Sequence, residues 1–87
     1  MMKIGKASLP SNDAIRLSTL LGLDFQNGRF EALVQGPSTN SGTLYIGDSS
    51  QQVIEIVAGG AVGFNAIQLQ DMYVKGTTGD VVNLMGW

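Results

Sequence analysis

The sequence predicts a small all-β domain, a β-sandwich or barrel-like fold of about six to eight short antiparallel strands with an extended N-terminal arm. Three observations predict it. Short stretches alternate apolar and polar residues with the two-residue period of a half-buried strand. Glycine-containing turns separate these stretches at intervals of about 8–12 residues. Asn27-Gly28 is the strongest short-range hairpin signal, because a type I′ turn needs positive φ at both central residues. The domain reading is an arm over 1–13 and a single β domain over 14–87.

In chain order, residues 1–13 lack periodicity and end in Pro10, Ser11, Asn12 and Asp13, which reads as an arm and a turn. Residues 14–20, "AIRLSTL", set Ile15, Leu17 and Thr19 against Arg16 and Ser18, a strand pattern. A short helix capped by Ser11 or Asn12 is the competing reading. After the Asn27-Gly28 turn, Phe30, Ala32 and Val34 face one way, and Arg29, Glu31 and Leu33 the other. Residues 36–42, "GPSTNSG", concentrate turn formers and read as a flexible loop.

The second half carries an internal echo. "TLYIGDSSQQVIEIV" (43–57) and "DMYVKGTTGDVVNLM" (71–85) each read as strand, polar turn, strand. They are expected to form two similar hairpins of one fold, since two copies are too few for a repeat architecture. Between them, Gly59, Gly60 and Gly63 predict a turn or bulge, and "AIQLQ" (66–70) a half-buried strand.

Composition narrows the function. A chain of 87 residues without cysteine has no disulfide to stabilise it, so association with other chains is the expected supplement. Charged residues make up 14% of the chain and the net charge is −2. An average protein has about 25% charged residues, and a nucleic-acid binder normally adds a basic patch. No nucleic-acid partner is expected. No apolar run is long enough to span a membrane, and none follows Lys3 and Lys6 as a signal peptide would require. No membrane partner and no export are expected.

The chemistry-bearing inventory is thin. There is no histidine, the commonest general base, and no cysteine nucleophile. The carboxylates are Asp13, Asp24, Glu31, Asp48, Glu55, Asp71 and Asp80. Asp48 and Asp80 read as turn residues whose side chains bond backbone. "GDSSQQ" lacks the further carboxylates of a calcium loop, and "GGAVGF" lacks a phosphate-binding lysine. The expectation is a protein with no enzyme activity, no metal, no cofactor and no small-molecule substrate.

Contact residues are better represented. Glu55, inside "VIEIV", marks either a solvent-facing edge or a salt bridge to a partner chain. Tyr45 and Tyr73 read as cross-strand packing residues or, with Trp87, as stacking platforms for a sugar. In a strand at 80–87, Val82 and Leu84 alternate with Val81, Met85 and Trp87, so both faces are mainly apolar and call for cover. Trp87 either packs on its own core or, with Met85, against a neighbouring chain. The candidate interface residues are Met1, Lys3 and Ile4 in the arm, Tyr45, Glu55, Phe64 and Tyr73 in the body, and Met85 and Trp87 in the tail.

Residues 42–87, with "GTLYIGD", "AGGAVGF" and "LQDMYVKGTTGDVVNLMGW", resemble small β-rich virion proteins of tailed bacteriophages, in particular capsid decoration (cement) proteins. The resemblance implies a homotrimer on the outer surface of a virion, assembled in the host cytoplasm. It would bind the major capsid protein and staple neighbouring shell subunits. A fibre, spike or tail component that binds a host receptor is the alternative it leaves open. In the decoration reading the arm is expected to act as a tether that orders on contact with the capsid.

Overall fold

The computed structural model describes residues 2–23 and 30–87; the Asn27-Gly28 turn and Met1 lie outside them. Eight strands among the described residues form two antiparallel four-stranded sheets. The first sheet has the order β1-β8-β3-β6, from β1 (Lys3–Ser8), β8 (Val81–Gly86), β3 (Phe30–Gln35) and β6 (Ala61–Ile67). The second has the order β2-β7-β4-β5, from β2 (Ile15–Arg16), β7 (Tyr73–Lys75), β4 (Leu44–Gly47) and β5 (Gln52–Ile56).

One core lies between the sheets. Ala32, Val34, Val82 and Leu84 enter it from the first sheet, and Leu44, Ile46, Ile56 and Val74 from the second. Alternation explains the arrangement, because successive side chains of a strand point to opposite faces. Along β8 the inward positions 82, 84 and 86 are buried, while Val81, Asn83 and Met85 are half-buried on the other face. Along β3, Ala32 and Val34 are buried while Glu31 and Leu33 stay exposed.

Several expectations are corrected. The strand expected over 14–20 is only Ile15–Arg16; Leu17–Leu21 is a helix, α1. Leu17, Leu20 and Leu21 have helical spacing and pack on the core together, which outweighs the short alternation before them. Neither Ser11 nor Asn12 caps the helix; Arg16 stands at its start without a side-chain cap, and Gly22 ends it at φ 65°. The glycine turn is confined to its beginning, where the Gly60 N–H donates to the Val57 carbonyl at 2.8 Å. From Ala61 the chain is strand, and it runs straight through Gly63. "AIQLQ" is not one strand: β6 ends at Ile67, and a 3₁₀ turn, Leu69–Asp71, drives Leu69 fully into the core.

The echo at 71–85 is not a hairpin. β7 belongs to the second sheet and β8 to the first, so the 76–80 link crosses the sandwich. β4 and β5 do form the expected hairpin. The N-terminal segment is extended but does not stand apart. Lys3–Ser8 pairs antiparallel with β8 over its whole length, from Lys3 opposite Gly86 to Ser8 opposite Val81.

The 36–42 loop, expected to be flexible, is held in place. The Asn40 amide acts as a short length of strand, donating to the Val81 carbonyl at 2.9 Å and accepting from the Val81 N–H at 2.7 Å. Asp80 accepts from the Ser41 N–H, the Ser41 hydroxyl and the Gly42 N–H at 2.9, 3.0 and 2.9 Å. Position 42 is closely approached: a Cβ there would lie 2.8 Å from the Thr77 hydroxyl oxygen, so a larger residue would require the Thr77 side chain to turn away.

Candidate functional site

The outer faces of the two sheets differ. That of the second sheet is polar and aromatic apart from Val53 and Val57 on its β5 side. The Arg16 guanidinium donates to the Tyr73 hydroxyl from Nη2 and Nε, at 2.9 and 3.2 Å, and its centre lies 5.5 Å from the ring centroid. Tyr45 stands in register between Glu55 on β5 and Lys75 on β7. A polar depression beside it is bordered by Asn12, Thr43, Tyr45, Lys75 and Thr77. Asn12 is already engaged there, accepting from the Thr78 N–H and hydroxyl at 2.7 Å each. Among the described residues β5 is an edge strand, with Val53 and Val57 exposed on either side of Glu55.

The outer face of the first sheet is more apolar. Pairing registers place Ile4 opposite Met85, Met85 opposite Leu33, and Leu33 opposite Gly63. One unbroken row of uncharged residues therefore crosses all four strands. Ile4 is 68% exposed and Leu33 37%. A shallow depression of about 260 Å³ opens between Ile4, Met85 and Leu33 of this row and Asn83, Gln35 and Ala61 of the next. On one flank Trp87 and Glu31 exchange backbone hydrogen bonds at 2.9 and 3.1 Å, which leaves Trp87 on the same face and 51% exposed. On the other flank lies the row Lys6, Asn83, Gln35 and Ala61, in which Asn83 Nδ2 donates to Gln35 Oε1 at 3.1 Å. A contiguous exposed apolar patch rimmed by polar residues marks an interaction surface.

The candidate interface residues thus separate into groups. Ile4, Met85 and Trp87 come together on the outer face of the first sheet. Tyr45, Glu55 and Tyr73 come together on the outer face of the second. Phe64 points inward from β6 and packs against the core. Lys3 is half-buried on β1, and Met1 lies outside the described residues. Leu33 and Gly63 complete the apolar row and were not singled out from sequence. Leu33 had a signal, being the one apolar residue on the polar side of its strand. Gly63 was hidden by its reading as a turn.

Two carboxylates, Asp48 and Asp80, serve the fold. The Asp48 side chain accepts from the Ser50 and Gln51 N–H groups at 2.8 Å each, closing the β4–β5 turn. Asp80, 6% exposed, holds the 36–42 loop. The Ser41 N–H is the chief cause of a pKa below the ordinary carboxylate value; burial opposes it, and the Gly42 N–H and Ser41 hydroxyl reinforce it. Among the described residues no group of three or more acidic, histidine or cysteine side chains is placed to hold a metal ion. Every buried side-chain nitrogen or oxygen described has a hydrogen-bond partner. Among the described residues no helix is long and apolar enough to cross a membrane.

No family model, curated protein or solved structure matches the chain.

Proposed function

We propose that this chain is a structural virion protein, a decoration subunit that binds the outer surface of a capsid shell and bridges neighbouring shell subunits. It works by contact between protein surfaces rather than by catalysis. The observation that carries the reading is the apolar row Ile4–Met85–Leu33–Gly63 with Trp87 beside it. Tryptophan and methionine are enriched in interface cores, and such a face gains most when water is excluded from it. The resemblance of residues 42–87 to phage decoration proteins supplies the virion setting. Binding of this kind stabilises both partners by mass action and needs no reactive group.

The polar depression beside Tyr45 favours a second reading, a fibre or spike component whose second sheet meets a host receptor. One measurement separates the two: the copy number of this chain in purified particles, by quantitative mass spectrometry against the major shell protein. A ratio near one is expected for a decoration subunit. A very small ratio shifts the assignment to a fibre or spike, and absence from particles ends the virion reading.

A further inference from the structure

The polar depression on the second sheet gathers unused hydrogen-bonding groups from three separate stretches of chain. It holds about 380 Å³ and is bordered by Asn12, Thr43, Tyr45, Lys75, Gly76 and Thr77. Tyr45 and Lys75 stand opposite each other in register across β4 and β7. Thr43 precedes Tyr45 by two residues and Thr77 follows Lys75 by two, so alternation directs all four to the outer face. The rim is fixed by the fold. Asn12 Oδ1 accepts from the Thr78 N–H and hydroxyl. The Thr77 carbonyl accepts from the Asp80 N–H at 3.0 Å, and the Leu9 carbonyl from the Gly79 N–H at 2.9 Å. Groups already held in place lose less freedom when a ligand binds.

The chemistry of these groups sets the class of ligand. Among the described residues, the Lys75 ammonium, Asn12 Nδ2 and the hydroxyls of Thr43, Tyr45 and Thr77 have no hydrogen-bond partner in the chain. The ammonium and the amide nitrogen only donate, while the hydroxyls donate or accept. The one formal charge on the rim is positive, and no carboxylate borders the depression among the described residues. Such a rim suits a ligand rich in oxygen acceptors that also carries negative charge. The Tyr45 ring adds a flat apolar surface among the polar groups. Apolar ligands take pockets lined mainly by apolar side chains, which this is not. A small inorganic anion would engage Lys75 and leave the ring unused. A sugar engages both, since it presents hydroxyls at its edge and C–H bonds on its face.

We infer that this depression binds an acidic saccharide, with the sugar's carboxylate on Lys75, its hydroxyls on Asn12, Thr43 and Thr77, and its C–H face against the Tyr45 ring. The inference deepens the reading in which the second sheet meets a receptor, and rests on that reading for its setting. It also suits a decoration subunit. The outer faces of the two sheets lie on opposite sides of the sandwich, so a subunit seated by its first sheet turns this depression away from the shell.

The full chain should be passed over an array of immobilised acidic and neutral glycans. The best-retained acidic glycan is then titrated into isotope-labelled chain by NMR. Retention of glycans with carboxylate-bearing sugars is expected, weakening as salt is raised. Amide shifts should fall at residues 12, 43–45 and 75–77 and not at Ile4, Leu33 or Met85. Lys75 is exposed, so Lys75→Gln should keep a dispersed spectrum while losing about tenfold or more in affinity. Lys75→Arg should retain most of the binding, and Ile4→Ser all of it. An array that retains no acidic glycan, equal retention of neutral glycans, retention of sulfated glycans alone, shifts on the first sheet, or a Lys75→Gln variant that binds like the wild type would each overturn the site. The copy number in particles separates this result from the function itself. A chain that binds the acidic glycan but is absent from particles keeps the site and ends the virion reading. A chain of very low copy number that binds none overturns the saccharide and keeps the fibre or spike reading. An abundant one that binds none overturns it and keeps the decoration reading.

Discussion

Asp80 accepts three hydrogen bonds from groups 38 and 39 residues earlier in the chain, so one side chain joins two distant segments. Its ionised form is the one these donors favour, and its folded pKa is lowered accordingly, first by the Ser41 N–H. The sign of the pH dependence follows. The stabilisation is fully present above the ordinary carboxylate pKa of about 3.9 and is lost as pH falls through the lower folded value. Asp48 contributes with the same sign through the Gln51 and Ser50 N–H groups. Asp80→Asn should therefore melt at lower temperature than the wild type near neutral pH. The gap should narrow below about pH 4, where the wild-type carboxylate itself becomes protonated. Thermal melts followed by circular dichroism from about pH 7 to about pH 2 check both expectations. A gap that stays constant across this range would show that the carboxylate charge is not what holds the loop.

At the scale of elements, β8 carries the first sheet. It pairs with β1 on one side and β3 on the other, and Leu84 at its middle is 2% exposed in the core. Leu84→Ala removes buried methyl groups where two paired neighbours restrict collapse of the cavity. The expected loss is about 2–5 kcal/mol of unfolding free energy, read from the shift of a urea unfolding midpoint. In a domain of marginal stability that is a large share of the total. A loss below about 1 kcal/mol would mean that the strand readily adjusts to fill the space. β1 plays a different part. Its inward positions are Lys3, Gly5 and Ala7, so it contributes little bulk to the core and acts mainly by hydrogen-bonding the free side of β8. Its two lysines also discourage pairing with foreign strands at an edge.

Over the whole molecule, the two sheets are built from strands far apart in sequence. The first and last strands are hydrogen-bonded neighbours, and Lys3 faces Gly86. Joining residue 87 to residue 2 with a short glycine-serine linker would make β8 and β1 a hairpin. New ends opened at the exposed residues 48–51 would interrupt only the β4–β5 turn. This circular permutant should fold to the same sandwich, because chain ends that lie together at the surface tolerate such rearrangement. Retained dispersion of the amide NMR spectrum checks it. A collapsed, poorly dispersed spectrum would show that the connectivity at 48–51 is needed for folding. The same topology places Ile4, Met85, Leu33 and Gly63 in one row though they come from four separate stretches of chain.

The all-β class, the alternation of β3 and the β4–β5 hairpin were legible in the sequence because each depends on neighbours within a few residues. Val82 and Leu84 were likewise readable as one face of a strand and Met85 and Trp87 as the other. The partners of these strands were not readable. The repeated pattern at 43–57 and 71–85 looked like two hairpins, yet β7 and β8 separate into different sheets, because a local pattern specifies which face a strand buries and not which strand it pairs with. Leu17–Leu21 became a helix because burial of three leucines outweighs a weak preference for alternation. The candidate face shows the same division. Local alternation put Leu33 and Met85 on the outward side of their strands, but the row they share with Ile4 and Gly63 exists only through cross-strand register, which is settled when the core residues of all four strands are buried together.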